Sequence, residues 1–267
     1  MAVAATASEF LKSLSKKGGS LPSKNILYGV EGVGKTSLVS HSASPLCLMC
    51  AGETGLLTLI DNNLVPDVLH PEPYTDWPTL MNSLNHIATG NVPDVKTLII
   101  DSVGTAQNLM VDWLIKTECK DSRSRFSDYG HGVKISTPVW REFLAVLDRC
   151  NRAGMQIWLI GHSLVTSFKN PEGSDYHRYT LQMMDALSEL TKQWADNMFF
   201  LNYVTEAEKG KGSGGTDRYL YAIRTPAFDA KNRLGLKNVD GYRLSSEGSG
   251  AAWKDLLEVI KKARVPA

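Results

Sequence analysis

Short apolar runs alternate with amphipathic stretches along most of this chain. Residues 25–29, 46–50 (Leu-Cys-Leu-Met-Cys), 96–101 and 155–161 carry continuous apolar segments, as strands buried on both faces do. Between them lie helical signals. Asp76 is placed to cap a helix with Pro78 in its first turn, Leu80, Leu84, Ile87 and Ala88 form one stripe, and Gly90 ends it. A second helix is expected over 104–118. A third is expected to open at Thr137-Pro138, with Val139, Phe143, Val146, Leu147 and Cys150 at helical spacing before Gly154. A fourth falls near 180–195, and a last one, over 252–264, places Leu256, Leu257 and Ile260 on one side.

The texture changes after residue 195. Residues 198–204 and 218–224 read as two strands around a glycine- and lysine-rich tip, 208–215, which reads as mobile. Strands alternating with helices, then late antiparallel strands, predict one α/β fold with a mostly parallel central sheet. The chain divides into an N-terminal extension (1–23), a core (24–240) and a C-terminal helical segment (241–267).

Composition narrows the partners. The 267 residues suffice for one large core, and 29 basic against 28 acidic residues leave a charge of +1. No global field draws such a chain to nucleic acid or membrane, so any nucleic-acid site has to be a local patch or be assembled in an oligomer. No apolar stretch approaches the length of a membrane span, and the small apolar start, 1–7, lacks the basic flank of a signal peptide, so a cytoplasmic protein is expected. Cys47 and Cys50 form a C-x-x-C within a strand, where they point to opposite faces. With no second such pair, they read as reduced core thiols.

The strongest motif is Gly29-Val30-Glu31-Gly32-Val33-Gly34-Lys35-Thr36, a phosphate-binding loop set between a strand and a helix start. Its glycines let successive N–H groups and a helix N-terminus face an anion. Gly29, Gly32, Val33, Gly34, Lys35, Thr36 and Ser37 form the expected nucleotide-binding set. Lys35 reaches the β- and γ-phosphates and the Thr36 hydroxyl binds Mg²⁺. Asp101 ends a hydrophobic strand, the place of a carboxylate that holds the metal through water. Glu53, just past the second strand, can orient or deprotonate a water, and His162, past the strand 155–161, can sense a γ-phosphate. Lys231 and Arg233, two residues apart in an extended segment, point the same way and suit a clamp on transferring phosphate. No N/T-K-x-D guanine-reading motif appears, which favours ATP over GTP.

Taken in order, this set resembles a RecA-fold ATPase, and Lys231-Asn232-Arg233 resembles the K-x-R of the hexameric helicase branch. Asp101-Ser102, Tyr129-Gly130, Ile160-Gly161-His162 and Ala230-Lys231-Asn232-Arg233 are similar to small phage-type AAA/RecA-like proteins, including the Sak-group single-strand annealing ATPases. The resemblance covers roughly 24–240. It implies an ATPase with Mg²⁺, with Glu53 as catalytic glutamate, His162 as sensor, and Lys231 and Arg233 as fingers offered to a neighbour's ATP in a ring or filament. One departure is Ala51-Gly52, where the relatives place an acid and a small residue before the glutamate.

In such a fold the loops after Asp101's helix and after the sensor strand face single-stranded DNA. Here they would be 116–136, with Arg123, Arg125, Phe126 and Lys134, and 163–180, with Phe168, Lys169, Arg178 and Tyr179. Cations interleaved with aromatics suit a sequence-tolerant strand site. The leading expectation is thus an oligomeric, single-strand-binding ATPase of phage-type recombination or replication in a bacterial cytoplasm. The alternatives are a nucleotide-switched protein-interaction module without DNA binding and a small-molecule kinase. The latter would need a lid with phosphate-facing arginines.

Overall fold

A computed structural model describes residues 21–90, 92–208 and 211–263. The apolar start 1–7 and Lys209 and Gly210 of the expected 208–215 tip lie outside the described residues.

The strands β1 (Lys24–Gly29), β2 (Pro45–Met49), β3 (Thr97–Asp101) and β4 (Gln156–Phe168) form where the apolar runs predict them. With β6 (Asn197–Glu208) they make a parallel sheet in the order β2-β3-β4-β1-β6. β7 (Lys211–Tyr221) and β8 (Tyr242–Leu244) then extend it antiparallel, as the late strands led us to expect. β1 sits between β4 and β6, so its side chains are covered on both faces and Ile26, Leu27 and Tyr28 are fully buried. β4 lies between β1 and β3. The phosphate loop's strand and the Asp101 strand are therefore separated by one other strand.

Helices cover both faces, and each strand residue sides with one of them by strict alternation. Ile26, Leu98, Ile100, Ile157, Leu159 and Phe200 face α3 (Trp77–Ile87), α4 (Val103–Glu118), α6 (His131–Arg152) and α7 (Asp185–Trp194). Leu27, Ile99, Trp158 and Phe199 face α1 (Lys35–Val39), α2 (Gly55–Asp61) and α8 (Ser249–Ala263). The first core centres on Trp77, Trp140 and Phe143, with ring centroids 4.6 to 6.2 Å apart. Cys50 falls in that core and Cys47 in the other, so the two thiols of the C-x-x-C face opposite ways, both free and both raised in pKa by burial. Asp76 caps α3 as expected, its carboxylate accepting from Thr79 N–H at 2.9 Å.

Four expectations require correction. The segment 116–136 is not a loop: α4 runs to Glu118, α5 spans Arg123–Ser127, and α6 begins at His131 rather than at Thr137-Pro138. Packing overrides the proline signal there. A Cβ on Gly132 would sit 2.5 Å from the Phe126 ring, Ser136 is fully buried, and the Thr137 hydroxyl donates to Val133 O at 2.7 Å. The segment 163–180 is not a loop either, but a hairpin in which β4 continues to Phe168 and pairs antiparallel with β5 (Tyr176–Leu181). The helix expected from 180 therefore starts only at Asp185. Among the described residues no helix is long and apolar enough to cross a membrane.

Candidate functional site

The carboxyl ends of β1, β2 and β3 converge on one edge of the parallel sheet beside His162 of β4, with Gly29 in register with His162 and Met49 with Asp101. The phosphate loop leaves that edge. Its first glycine is required by contact: a Cβ on Gly29 would lie 1.9 Å from the Leu201 carbonyl oxygen on β6. Gly32 and Gly34 are required by conformation, with φ of +70° and +90°, where only glycine is unstrained. Val33 is fully buried, and Ser37 lies in the first turn of α1.

Lys35 is buried and donates to the loop carbonyls of Gly29 at 3.1 Å and Val30 at 2.8 Å. Burial pushes its pKa down, against the pull of Asp101, Glu53 and Glu31. The Thr36 hydroxyl donates to Asp101 Oδ2 at 2.7 Å, bringing the two expected metal residues together across the intervening strand. Burial raises Asp101 to about 6 despite that hydrogen bond. The helix after β3 is capped by Ser102, whose Oγ accepts from Thr105 N–H at 3.3 Å, which leaves the Asp101 carboxylate free for Thr36.

Glu53 and His162 form one unit. Glu53 Oε1 lies 3.1 Å from His162 Nε2 and accepts from the Thr105 hydroxyl at 3.0 Å. The hydrogen bond from His162 holds the Glu53 carboxyl down at about 2, against burial, and the same bond raises His162. Beside this pair a cavity of about 350 Å³ continues between the N-terminus of α4 and the β4–β5 hairpin, lined by Thr105, His162, Leu164 and Gln182.

Sequence reasoning missed what braces the loop from behind. The Tyr203 hydroxyl on β6 donates to Gly32 O at 3.0 Å. Arg218 on β7 donates to Val33 O at 3.3 Å and to Ser245 O at 3.0 Å. Nothing in the local sequence marks either residue, because both act across strand pairings that only the fold creates.

Lys231 and Arg233 are not in this cluster. Lys231 bridges Met198 at the start of β6, the opposite end of the sheet. Its Nζ donates to the last carbonyls of α7, Lys192 O at 2.5 Å and Gln193 O at 3.5 Å. Arg233 pairs with Asp196 at 2.8 Å and is largely exposed. Both are directed at the turn between α7 and β6.

The DNA-binding candidates are dispersed. Arg123 is exposed and pairs with Asp112 at 3.1 Å, and Arg125 lies beside it in α5. Phe126 is half-buried against the core, and Lys134 is exposed in the first turn of α6. On the hairpin, Phe168 packs on Tyr176 with centroids 5.1 Å apart, and Lys169 pairs with Asp175 at 2.5 Å. Tyr179 packs against Phe200. Arg178 is only 4% exposed, paired with Asp229 at 2.5 Å and 5.3 Å from the Phe168 ring.

A strand, a glycine loop with a buried lysine, a helix, and a hydroxyl–carboxylate pair define a P-loop nucleotide-binding site. The chain belongs to the AAA domain family, a family of P-loop ATPases, whose model matches residues 22–234. No curated protein matches it. The donor set fits the magnesium that such ATPases use. Thr36 and Asp101 offer hard oxygen donors, and Lys35 is a buried cation that, among the described residues, donates to carbonyls.

Proposed function

We propose that this chain hydrolyses ATP as an oligomer that sandwiches the nucleotide between subunits, and that it binds single-stranded DNA in a phage-type recombination or replication process. The observation that carries the reading is the separation of the two halves of the site. Lys35, Thr36, Asp101, Glu53 and His162 share one edge of the sheet, while Lys231 and Arg233 sit at the start of β6, on the opposite edge. Side chains there cannot reach their own chain's phosphate loop, so as fingers they can serve only a second copy.

The roles follow from the geometry. Lys35 leaves the Gly29 and Val30 carbonyls to hold the β- and γ-phosphates. Thr36 and Asp101 would hold Mg²⁺, which neutralises phosphate charge when bound. Glu53, ionised at neutral pH by its His162 bond, orients the attacking water and receives its proton. His162 passes the state of the site to the hairpin, because it lies on the same strand, β4, that runs on to Phe168. Phe168, Tyr176 and Lys169 at the hairpin's far end, with Arg123 and Arg125 on α5, supply rings and cations for a strand.

The test is steady-state ATP hydrolysis with and without poly-dT over a range of protein concentrations. Stimulation by DNA and a rise steeper than linear in protein are expected; a flat, DNA-blind rate would refute both parts. A second reading, a nucleotide-switched interaction module without DNA, is favoured by one observation. Arg123, Lys169 and Arg178 are each paired with an acid of their own chain. Slow, DNA-independent turnover without salt-sensitive DNA binding would select it.

A further inference from the structure

A cavity of about 360 Å³ opens beside Met198, between the end of α7, the β4–β5 hairpin and the segment 224–231. Its walls carry four cations, Arg178, Lys192, Arg224 and Lys231, against two carboxylates, Glu189 and Asp229. Four minus two leaves a formal excess of two positive charges in a partly enclosed hollow. Asp229 serves three of the cations, accepting from Arg178 at 2.5 Å and Lys192 at 3.1 Å, with Arg224 Nε 3.6 Å away. Glu189 also pairs with Lys192. Among the described residues the Lys231 ammonium donates to carbonyls, with no carboxylate in direct contact and Asp196 acting on it from further off.

The wall has an open valence. Arg178 is 96% buried by side-chain area (4% exposed), yet its Nε–H is buried without an acceptor. A buried, unmatched donor on a cation is costly; this one is closed off from the hollow as the chain stands, so the Arg178 side chain has to turn before an acceptor in the hollow can satisfy it. Guanidinium groups match phosphate oxygens, and the excess charge matches a phosphate dianion.

We propose that this cavity is a phosphate-binding pocket that takes the terminal phosphate of a nucleotide, gripped by Arg178, Arg224, Lys192 and Lys231. Asp229 holds the cations together when the pocket is empty. A single hollow of this size takes one phosphate terminus, whereas a nucleic-acid strand needs a track. The nucleotide is not the one on the chain's own phosphate loop: no residue of that loop lines the hollow, which lies over the α7 face of the sheet, where the Tyr28 hydroxyl donates to Asp229 O at 2.6 Å. It is either free or offered by the loop of a second copy; the latter source rests on the oligomer reading above.

The test is calorimetric titration of pyrophosphate into the full chain carrying Lys35→Ala, which disables the phosphate loop, with folding checked by circular dichroism. Binding is expected, and it should weaken at least tenfold when Arg224→Ala or Lys192→Ala is added. Arg224 is mostly exposed, so its loss spares the fold. Absence of pyrophosphate binding up to millimolar concentration, or binding indifferent to both substitutions, would overturn the pocket. Displacement of pyrophosphate by a dT oligonucleotide would overturn the nucleotide assignment. With the loop intact, a shallower protein-concentration dependence of hydrolysis in Arg224→Ala identifies the source as a second copy, and an unchanged one identifies free nucleotide. A wild-type rate linear in protein would defeat the oligomer reading while leaving the pyrophosphate result standing.

Discussion

Glu53 and His162 make the residue scale testable in two independent ways. If Glu53 handles the attacking water, Glu53→Gln keeps the shape and the Thr105 contact but loses the base. Turnover should fall by about 10²- to 10⁴-fold with little change in the KM for ATP. An equal loss in KM would instead make Glu53 a binding residue. The same pair sets a pH signature in stability. Glu53 titrates near 2 in the fold against an ordinary 4.5, so its contribution is present above pH 4.5 and is lost as pH falls from 4.5 towards 2. His162 is raised above 6.5, so its contribution is full below 6.5 and is lost as pH rises through its higher folded value. The gap in melting temperature between wild type and Glu53→Gln should therefore be widest near pH 4.5 to 6.5 and shrink on both sides. A gap that does not vary from pH 3 to 9 would exclude a charged pair. Asp101, raised by burial to about 6, works in the opposite sense, and because the Glu53 charge adds to that rise, Glu53→Gln also relaxes Asp101 somewhat.

At the scale of elements, the hairpin β4–β5 separates cations that fold the protein from cations that decorate it. Arg178 and Lys169 looked alike in the sequence. Arg178, however, is buried against Asp229, while Lys169 is exposed beside Asp175. Asp229→Asn strands a buried guanidinium and should cost about 3–5 kcal/mol in denaturant unfolding, whereas Lys169→Ala should cost less than about 1 kcal/mol. Equal effects would contradict the burial. The phosphate loop's strand offers a sharper case. Gly29→Ala drives a methyl into the Leu201 carbonyl and should destabilise the chain by at least about 3 kcal/mol, measured the same way. The difference between what the sequence disclosed and what it hid follows from locality. Strands such as 25–29 and 155–161 announce themselves by apolar runs, and Asp76 with Pro78 announces a helix start. The hairpin was hidden because 163–168 mixes polar and apolar residues, and its turn, Asn170-Pro171-Glu172-Gly173, was read as part of a longer loop. The start of α6 was hidden because Gly132 and Phe126 meet only once both helices are packed. Lys35 and Thr36 were legible from the glycine-loop motif, and Asp101, Glu53 and His162 because each ends or closely follows an apolar run. Tyr203 and Arg218 were not, since they reach the loop across strand pairings.

At the scale of the whole molecule, the proposed sharing of the site between subunits, with the phosphate loop and the Lys231–Arg233 segment far apart in one chain, gives the last prediction. A chain lacking Lys35 cannot hold triphosphate but keeps its Arg233. A chain lacking Arg233 keeps its phosphate loop but offers no finger. In a head-to-tail assembly each interface combines the loop of one subunit with the fingers of the next. Lys35→Ala and Arg233→Ala proteins should each be nearly inactive alone. Mixed in equal amounts and allowed to exchange, they should regain up to about a quarter of wild-type hydrolysis, since about one interface in four pairs an intact loop with an intact finger. Fingers acting within their own chain would give no recovery at any mixing ratio. The in-chain partners of the two cations sharpen the expectation. Lys231 is tied to the end of α7, while the Arg233 side chain is held, among the described residues, by an exposed pair with Asp196. Arg233 can therefore turn to a neighbour at little cost, and its loss should act on turnover with the melting temperature almost unchanged. A Lys231→Ala chain should lose both turnover and some stability, because the last carbonyls of α7 lose their donor.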